Sequence, residues 1–147
     1  METAEAVHSA GATMLDAPVS GSVPHAEAGT LTIMVGGPED AFARAEPLLH
    51  EAGEKVTRVG DNGQGLLLKL AINISIAAQT LAFGEGLLMA ERGGIDPQLA
   101  AQVMSESPIG SPMLQGRVPL LLDASLPPWF DVRLMHKDIA VLGEKLR

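Results

Sequence analysis

The sequence predicts an α/β segment followed by an all-α segment, and two patterns indicate this division. Before residue 60, short apolar runs alternate with turns that contain Gly or Pro, which is typical of buried strands. From about residue 64 to residue 92, apolar side chains occupy nearly every face of a helix, which predicts one long helix buried among others. A core built from Leu and Ala, with 3% aromatic residues, also favours helix.

Residues 1–62 contain too few strands for a complete α/β domain. The predicted elements are a helix over residues 2–10, strands over 12–19, 30–35 and 55–59, and a helix over 38–49. Ser20-Gly21-Ser22-Val23-Pro24 is predicted to be a turn. We therefore expect this segment to be the last part of a larger α/β domain.

Residues 63–147 are predicted to form a helical domain. Asp61 followed by Gln64 resembles a capping box at the start of the long helix. Further helices are predicted over 96–105, 112–122 and 131–146. Because the first and last helices lack a clear start and stop signal, we expect both domains to be truncated parts of a longer chain.

Composition excludes several classes of function. The formal net charge is −8 and the ten Lys and Arg residues are scattered, which argues against a nucleic-acid surface. With no cysteine there is no disulfide framework or thiol chemistry, so we expect a cytoplasmic protein. The four histidines show no metal-ligand spacing, and no metal site is predicted. The apolar stretch 65–90 carries polar side chains that are unfavourable in lipid, so we interpret it as part of a soluble protein.

Lys69 and Asn73 are the first candidate site residues. They lie four positions apart on the predicted long helix and hence on one face. Lys69 and Glu85 are the only charged residues within 65–90, and a lysine is seldom buried without a partner. The alternative is that Lys69 extends to solvent from the helix start and that Asn73 is a minor packing residue.

Three other segments contain residues that could bind a ligand. Ser20-Gly21-Ser22 follows a strand and could present N–H and hydroxyl donors to an anion, although an ordinary tight turn is the alternative. The glycine-rich turn over residues 60–65 is rejected as a dinucleotide fingerprint, because Leu68 occupies the third glycine position. His136-Lys137-Asp138 opens the last helix, where a solvated helix start is the alternative interpretation.

Four ordered motifs resemble the 3-hydroxyisobutyrate (β-hydroxyacid) dehydrogenase family. They are Asp16-Ala17-Pro18-Val19-Ser20-Gly21, Gly29-Thr30-Leu31-Thr32-Ile33-Met34-Val35-Gly36-Gly37, Gly65-x-x-x-Lys69-x-x-x-Asn73, and the segment from Phe130 to Lys137-Asp138. Their order and spacing agree over nearly the whole chain. The resemblance implies the C-terminal part of a Rossmann-type domain over 1–62 and a helical substrate and dimerisation domain over 63–147.

The resemblance also implies NAD(P)-dependent interconversion of a small 3-hydroxy acid and its semialdehyde. Lys69 would be the general acid/base at the reacting hydroxyl, and Asn73 would position the substrate. Ser20, Gly21 and Ser22 would hold the substrate carboxylate. The nicotinamide would accept the hydride while Lys69 takes the hydroxyl proton.

On the cofactor side, the resemblance implies that Lys137, Phe130 and Asp138 line the cleft that binds NAD or NADP. The sequence does not decide between 3-hydroxyisobutyrate, tartronate semialdehyde, succinic semialdehyde and similar acids as the substrate. It also does not decide between NAD and NADP as the cofactor. A homodimer or tetramer would form through the long helix. The alternative function is a non-catalytic helical assembly module of the same fold.

The chain departs from the family pattern at two places. Ser22 replaces a glycine, and Pro24-His25 occupies the place of a Gly-Ala pair, so substrate fit is expected to differ. Nothing before Ala12 could supply the family's Gly-x-Gly-x-x-Gly turn, so we expect the chain to be inactive by itself. Ile72 stands where phosphogluconate dehydrogenases carry a histidine, which disfavours that branch.

The Lys69 amine is predicted to have a pKa below its ordinary value. It lies in the first two turns of the predicted helix, where the helix dipole disfavours an ammonium group, and partial desolvation acts in the same direction. Proton transfer near neutral pH needs an amine of this kind. Titration of Lys69 in the intact site by NMR tests this hypothesis, and a pKa near the unperturbed value of about 10.4 would contradict it.

Overall fold

The computed structural model describes residues 2–126 and 132–145. The elements in chain order are α1 (Glu2–Ser9), β1 (Val19–Ser20), α2 (Val23–Glu27), β2 (Thr32–Gly36), α3 (Glu39–Leu49), β3 (Lys55–Gly60), α4 (Gln64–Arg92), α5 (Pro97–Glu106), α6 (Pro112–Leu122) and α7 (Val132–Lys145). The chain divides into two compact units, Met1–Ile72 and Asn73–Arg147, and the division falls inside α4. The predicted fold class, an α/β remnant followed by helices with one long helix, is confirmed.

The first unit is built on a three-stranded sheet in the order β1-β2-β3. Strands β2 and β3 are parallel and are connected by α3, whereas β1 pairs antiparallel with β2. Ile33, Met34 and Val35 in the central strand β2 are buried. A continuous apolar run of this kind is expected for a strand that is covered on both faces.

The strand predicted over residues 12–19 is mostly extended chain without a ladder. Asp16 forms an isolated antiparallel bridge with Gly36, and pairing resumes only at Val19. Pro18 lies between them and has no N–H to donate, although its carbonyl accepts the Met34 N–H at 3.0 Å. The chain thus stays beside β2 while the regular hydrogen-bond pattern is interrupted.

The second unit is helical, and local signals set the helix starts. The Asp96 side chain accepts the Leu99 N–H at 3.0 Å at the start of α5. The Ser111 hydroxyl accepts the Leu114 N–H at 3.2 Å at the start of α6. Both are N-cap interactions that a sequence pattern can predict, because donor and acceptor lie three residues apart.

Helix α4 is long, as predicted, but among the described residues only part of its apolar surface is buried. Phe83 and Leu87 pack into the core of the second unit with residues of α5 and α6. Other large side chains of the helix are open, and Leu81 and Met89 are 70% and 75% exposed. The physical reason is that residues of α5 and α6 pack against Phe83 and Leu87, whereas no described residue buries Leu81 or Met89.

Among the described residues, α4 alone is long and apolar enough to cross a membrane by length and composition. Its most apolar 18-residue window has a mean hydropathy of 1.7, and 11% of that window is buried. A core helix of a soluble protein passes the same test, so this property is weak support for a membrane span.

Candidate active site

The buried carboxylate of Asp16 binds the start of helix α4. Asp16 is 6% exposed. Its Oδ1 accepts the Gly63 N–H at 2.6 Å, and its Oδ2 accepts the Leu66 N–H at 3.0 Å. The first N–H groups of a helix lack partners within the helix and carry partial positive charge, so a carboxylate satisfies both needs. Asp16 therefore fixes α4 to the segment that precedes β1.

The predicted capping box at Asp61 and Gln64 forms only in part. The Gln64 side chain accepts the Asp61 N–H at 2.9 Å, as such a box requires. The Asp61 carboxylate, however, is 93% exposed and lies 3.5 Å from the Arg58 guanidinium. Asp16 acts as the anionic cap instead.

Two glycines allow the helix to approach Asp16 closely. A Cβ added at Gly65 would lie 2.6 Å from the Met34 carbonyl oxygen and 2.8 Å from Asp16 Oδ2. A Cβ added at Gly36 would lie 2.6 Å from Asp16 Oδ1. A side chain at either position would push the helix or the carboxylate away. Gly36 and Gly65 are therefore needed for the close approach of Asp16 to α4.

The hydrogen bonds of Asp16 connect the two segments of the first unit that carry the predicted site residues Lys69 and Ser20. Lys69 follows Leu66 by three residues, which is about one turn of α4, and Ser20 follows Asp16 by four. Both Lys69 and Ser20 are half-buried. The turn of α4 that carries Lys69 and the segment that leads to Ser20 are thus anchored through one carboxylate.

The turn predicted to hold a carboxylate has a partner that the sequence did not suggest. The Ser22 N–H donates to His25 Nδ1 at 3.4 Å, and helix α2 begins at Val23. A Cβ added at Gly21, where φ is +135°, would lie 2.7 Å from Leu31 and 2.9 Å from His25. Gly21 therefore has no room for a side chain, and an anion would need to displace His25 to reach the Ser22 N–H.

The second unit brings together Asn73, Lys137 and Asp138. Asn73 is 3% exposed, and its Nδ2 donates to Asp138 Oδ2 at 2.6 Å. The Lys137 ammonium lies 3.2 Å from Asp138 Oδ1, with the Lys137 and Asp138 side chains 66% and 16% exposed. The two carboxylate oxygens of Asp138 therefore have different partners. Phe130, which was predicted to line the same cleft, lies outside the described residues.

Only some of the residues described above are suited to bind a dinucleotide cofactor. The N–H groups of Gly63 and Leu66 donate to the Asp16 carboxylate, so these two donors are not available to a pyrophosphate. The exposed Lys137 ammonium is a suitable group to meet an anionic cofactor. Within 2–126 and 132–145, no group of three or more His, Asp or Glu residues could hold a metal ion.

Two family models match the chain. Residues 1–60 match the model described as the NAD binding domain of 6-phosphogluconate dehydrogenase. Residues 63–147 match the model described as NAD-binding of NADP-dependent 3-hydroxyisobutyrate dehydrogenase. The matched regions meet between β3 and α4.

Individual relatives agree with the family models. The chain is 37% identical to 3-hydroxyisobutyrate dehydrogenase of Pseudomonas aeruginosa, over 95% of this chain and 49% of that protein. It is 38% identical to 2-hydroxy-3-oxopropionate reductase of Escherichia coli, over 92% of this chain and 47% of that protein. A solved structure of Mycobacterium tuberculosis 3-hydroxyisobutyrate dehydrogenase with L-serine has a TM-score of 0.85 at 30% identity, covering 99% of this chain and 52% of that one.

These matches define an NAD(P)-binding oxidoreductase fold of the hydroxyacid class. Specifically, the chain belongs to the 3-hydroxyisobutyrate (β-hydroxyacid) dehydrogenase family, which confirms the resemblance seen in its motifs. The chain spans about half the length of the curated relatives it matches.

Asp16→Asn is expected to lower the free energy of unfolding by about 1–3 kcal/mol. The amide keeps the shape of the carboxylate but places an N–H₂ group against one of the two helix N–H donors. The matched control is Asp61→Asn, because that carboxylate is exposed, and a change within about 0.5 kcal/mol is expected there. Urea unfolding followed by circular dichroism measures both. A larger loss for Asp61→Asn than for Asp16→Asn would contradict this assignment of the cap.

Proposed function

We propose that this chain supplies the proton-transfer and substrate-binding residues of an NAD(P)-dependent β-hydroxyacid dehydrogenase. The observation that carries the proposal is the Asp16 contact, which anchors the Lys69 turn of α4 to the segment that leads to Ser20. Family motifs on both sides of that contact support the same conclusion. The enzyme would oxidise a small 3-hydroxy acid or reduce the matching semialdehyde.

In the proposed reaction, Lys69 accepts the hydroxyl proton during oxidation and returns it during reduction. Asn73 lies one turn further along α4 and orients the substrate. Ser20 and Gly21 bind the carboxylate, and the Ser22 N–H joins them once His25 has moved. Local donors of this kind are needed because a chain with a net charge of −8 repels an anionic substrate.

Lys137 would hold the cofactor through its exposed ammonium group. When bound, NAD(P) supplies the hydride acceptor or donor. The relatives described above are named for 3-hydroxyisobutyrate and 2-hydroxy-3-oxopropionate. We therefore propose that the substrate is a small acid of that class. The choice between NAD and NADP stays open. We further propose a cytoplasmic location.

Because the chain spans about half of its relatives, we propose that it is inactive alone and needs a glycine-rich nucleotide-binding half. This chain joined to such a half is called the complete enzyme. It can be prepared by replacing the matched part of the Pseudomonas aeruginosa relative with this chain, so that the relative supplies the remainder. Assays of the chain alone and of the complete enzyme with a panel of hydroxy acids test the proposal, and clear turnover by the chain alone would contradict it.

Lys69→Ala in the complete enzyme is expected to lower kcat by roughly 10²- to 10⁴-fold, because the proton acceptor is removed. KM for the hydroxy acid should change far less. Lys55→Ala is the matched control, since Lys55 is an exposed lysine on β3, and full activity is expected. Initial rates with each cofactor give the values. Retention of kcat in Lys69→Ala would exclude the acid/base role.

A second function is favoured by the exposed apolar surface of α4. Leu81 and Met89 are more than two-thirds exposed although they belong to a long apolar helix. Burial of such a surface stabilises association. We therefore propose that α4 also mediates assembly into a homodimer or tetramer.

Leu81→Glu is expected to shift the chain toward the monomer, because a charged group would be buried in the proposed interface. Leu48→Glu is the control, since Leu48 on α3 is 75% exposed and lies outside that interface. Sedimentation velocity over a concentration series measures the assembly state. Equal association of Leu81→Glu and the unchanged chain would contradict a role for α4.

A further inference from the structure

The hydrogen bond between Asn73 and Asp138 fixes which end of the Asn73 amide points toward α7. Nδ2 donates to Asp138 Oδ2 at 2.6 Å. Rotating the amide by half a turn would exchange nitrogen and oxygen with almost no change in shape. In that rotated state Oδ1 would lie against Asp138 Oδ2, and two acceptors would face each other without a proton between them. The carboxylate therefore selects one of two sterically equivalent states.

Burial and charge strengthen this selection. Asn73 is 3% exposed, so solvent offers little alternative to the contact with Asp138. A hydrogen bond to an ionised acceptor is stronger than one between neutral groups. Lys137 lies 3.2 Å from the other carboxylate oxygen and offsets the charge of Asp138 without competing for Oδ2.

From this arrangement we propose that Asp138 is a positioning residue that acts through Asn73 and does not bind the cofactor directly. The inference rests on the proposed function, in which Asn73 orients the substrate. With Nδ2 held by Asp138, the second Nδ2 proton and the Oδ1 lone pairs have fixed directions before substrate arrives. A pre-oriented amide of this kind favours the reactive geometry, because it need not be ordered during binding. This role replaces the cofactor contact implied by the family resemblance.

The first test measures the exchange of the Asn73 side-chain amide protons with water in this chain alone. The chain has two asparagines, Asn62 and Asn73, so selective ¹⁵N-asparagine labelling gives two side-chain amide signals, which the Asn73→Ser variant assigns. In Asp138→Ala, the protected Nδ2 proton of Asn73 should exchange rapidly with water. The Asn62 amide donates to the Met14 carbonyl at 2.8 Å and should stay unchanged, which reports an intact fold. An unchanged Asn73 signal in Asp138→Ala would overturn the proposal.

The second test separates positioning from cofactor binding in the complete enzyme. Asp138→Ala should lower kcat about ten- to hundred-fold with an unchanged KM for NAD(P), because a misplaced contact slows the reaction. Asp138→Asn retains an acceptor oxygen and should recover part of the loss. Asp123→Asn, an exposed aspartate on the same unit, serves as a control with full activity.

A raised cofactor KM with unchanged kcat would identify Asp138 as a cofactor ligand and overturn the inference, as would full activity of Asp138→Ala. Failure of the proposed function itself would be recognised differently, by full activity of Lys69→Ala in the same assay. In that case the amide exchange of Asn73 would still decide whether Asp138 fixes its orientation.

Discussion

The contact between the Asp16 carboxylate and the first N–H groups of α4 is the interaction on which the candidate site depends. It joins a segment beside the sheet to the helix that carries Lys69, and both partners are drawn from parts of the chain about fifty positions apart. A buried charge is tolerated there because two N–H groups and the helix dipole compensate it. Gly36 and Gly65 leave the space that this short contact needs. The Asn62 amide, which donates to the Met14 carbonyl at 2.8 Å, joins the same two parts of the chain.

Local sequence signals predicted most of the elements. Helix α4 begins at Gln64 and ends at Arg92 as expected, since the apolar run and the glycines after it are contiguous in sequence. Asp96 and Ser111 cap their helices within three residues, which is also a local relation. The strand predicted over residues 12–19 is mostly extended chain that pairs regularly only from Val19, because the apolar pattern does not reveal where pairing along the sheet is interrupted.

Two kinds of feature could not be predicted from the sequence: contacts between residues distant in the chain, and apolar surface that the described residues leave exposed. The pattern at Asp61 and Gln64 predicted a local cap, but it could not show that the distant Asp16 carboxylate accepts the Gly63 and Leu66 N–H groups. The motifs predicted both Asn73 and Asp138 as site residues. Their hydrogen bond could not be predicted, because the two residues are 65 positions apart in the sequence. Exposure of α4 was missed for another reason: an apolar helix indicates burial without indicating whether the same chain provides it.

We propose that Lys69 and the turn at Ser20, which lie in the same unit, bind one hydroxy acid between them. A crystal structure of the complete enzyme with L-serine or 3-hydroxyisobutyrate bound tests it most directly. We expect a carboxylate hydrogen-bonded to the Ser20–Gly21 turn and a hydroxyl within hydrogen-bond distance of Lys69 Nζ, with the Asn73 amide still hydrogen-bonded to Asp138. A ligand bound elsewhere, or one whose hydroxyl is out of reach of Lys69, would contradict it.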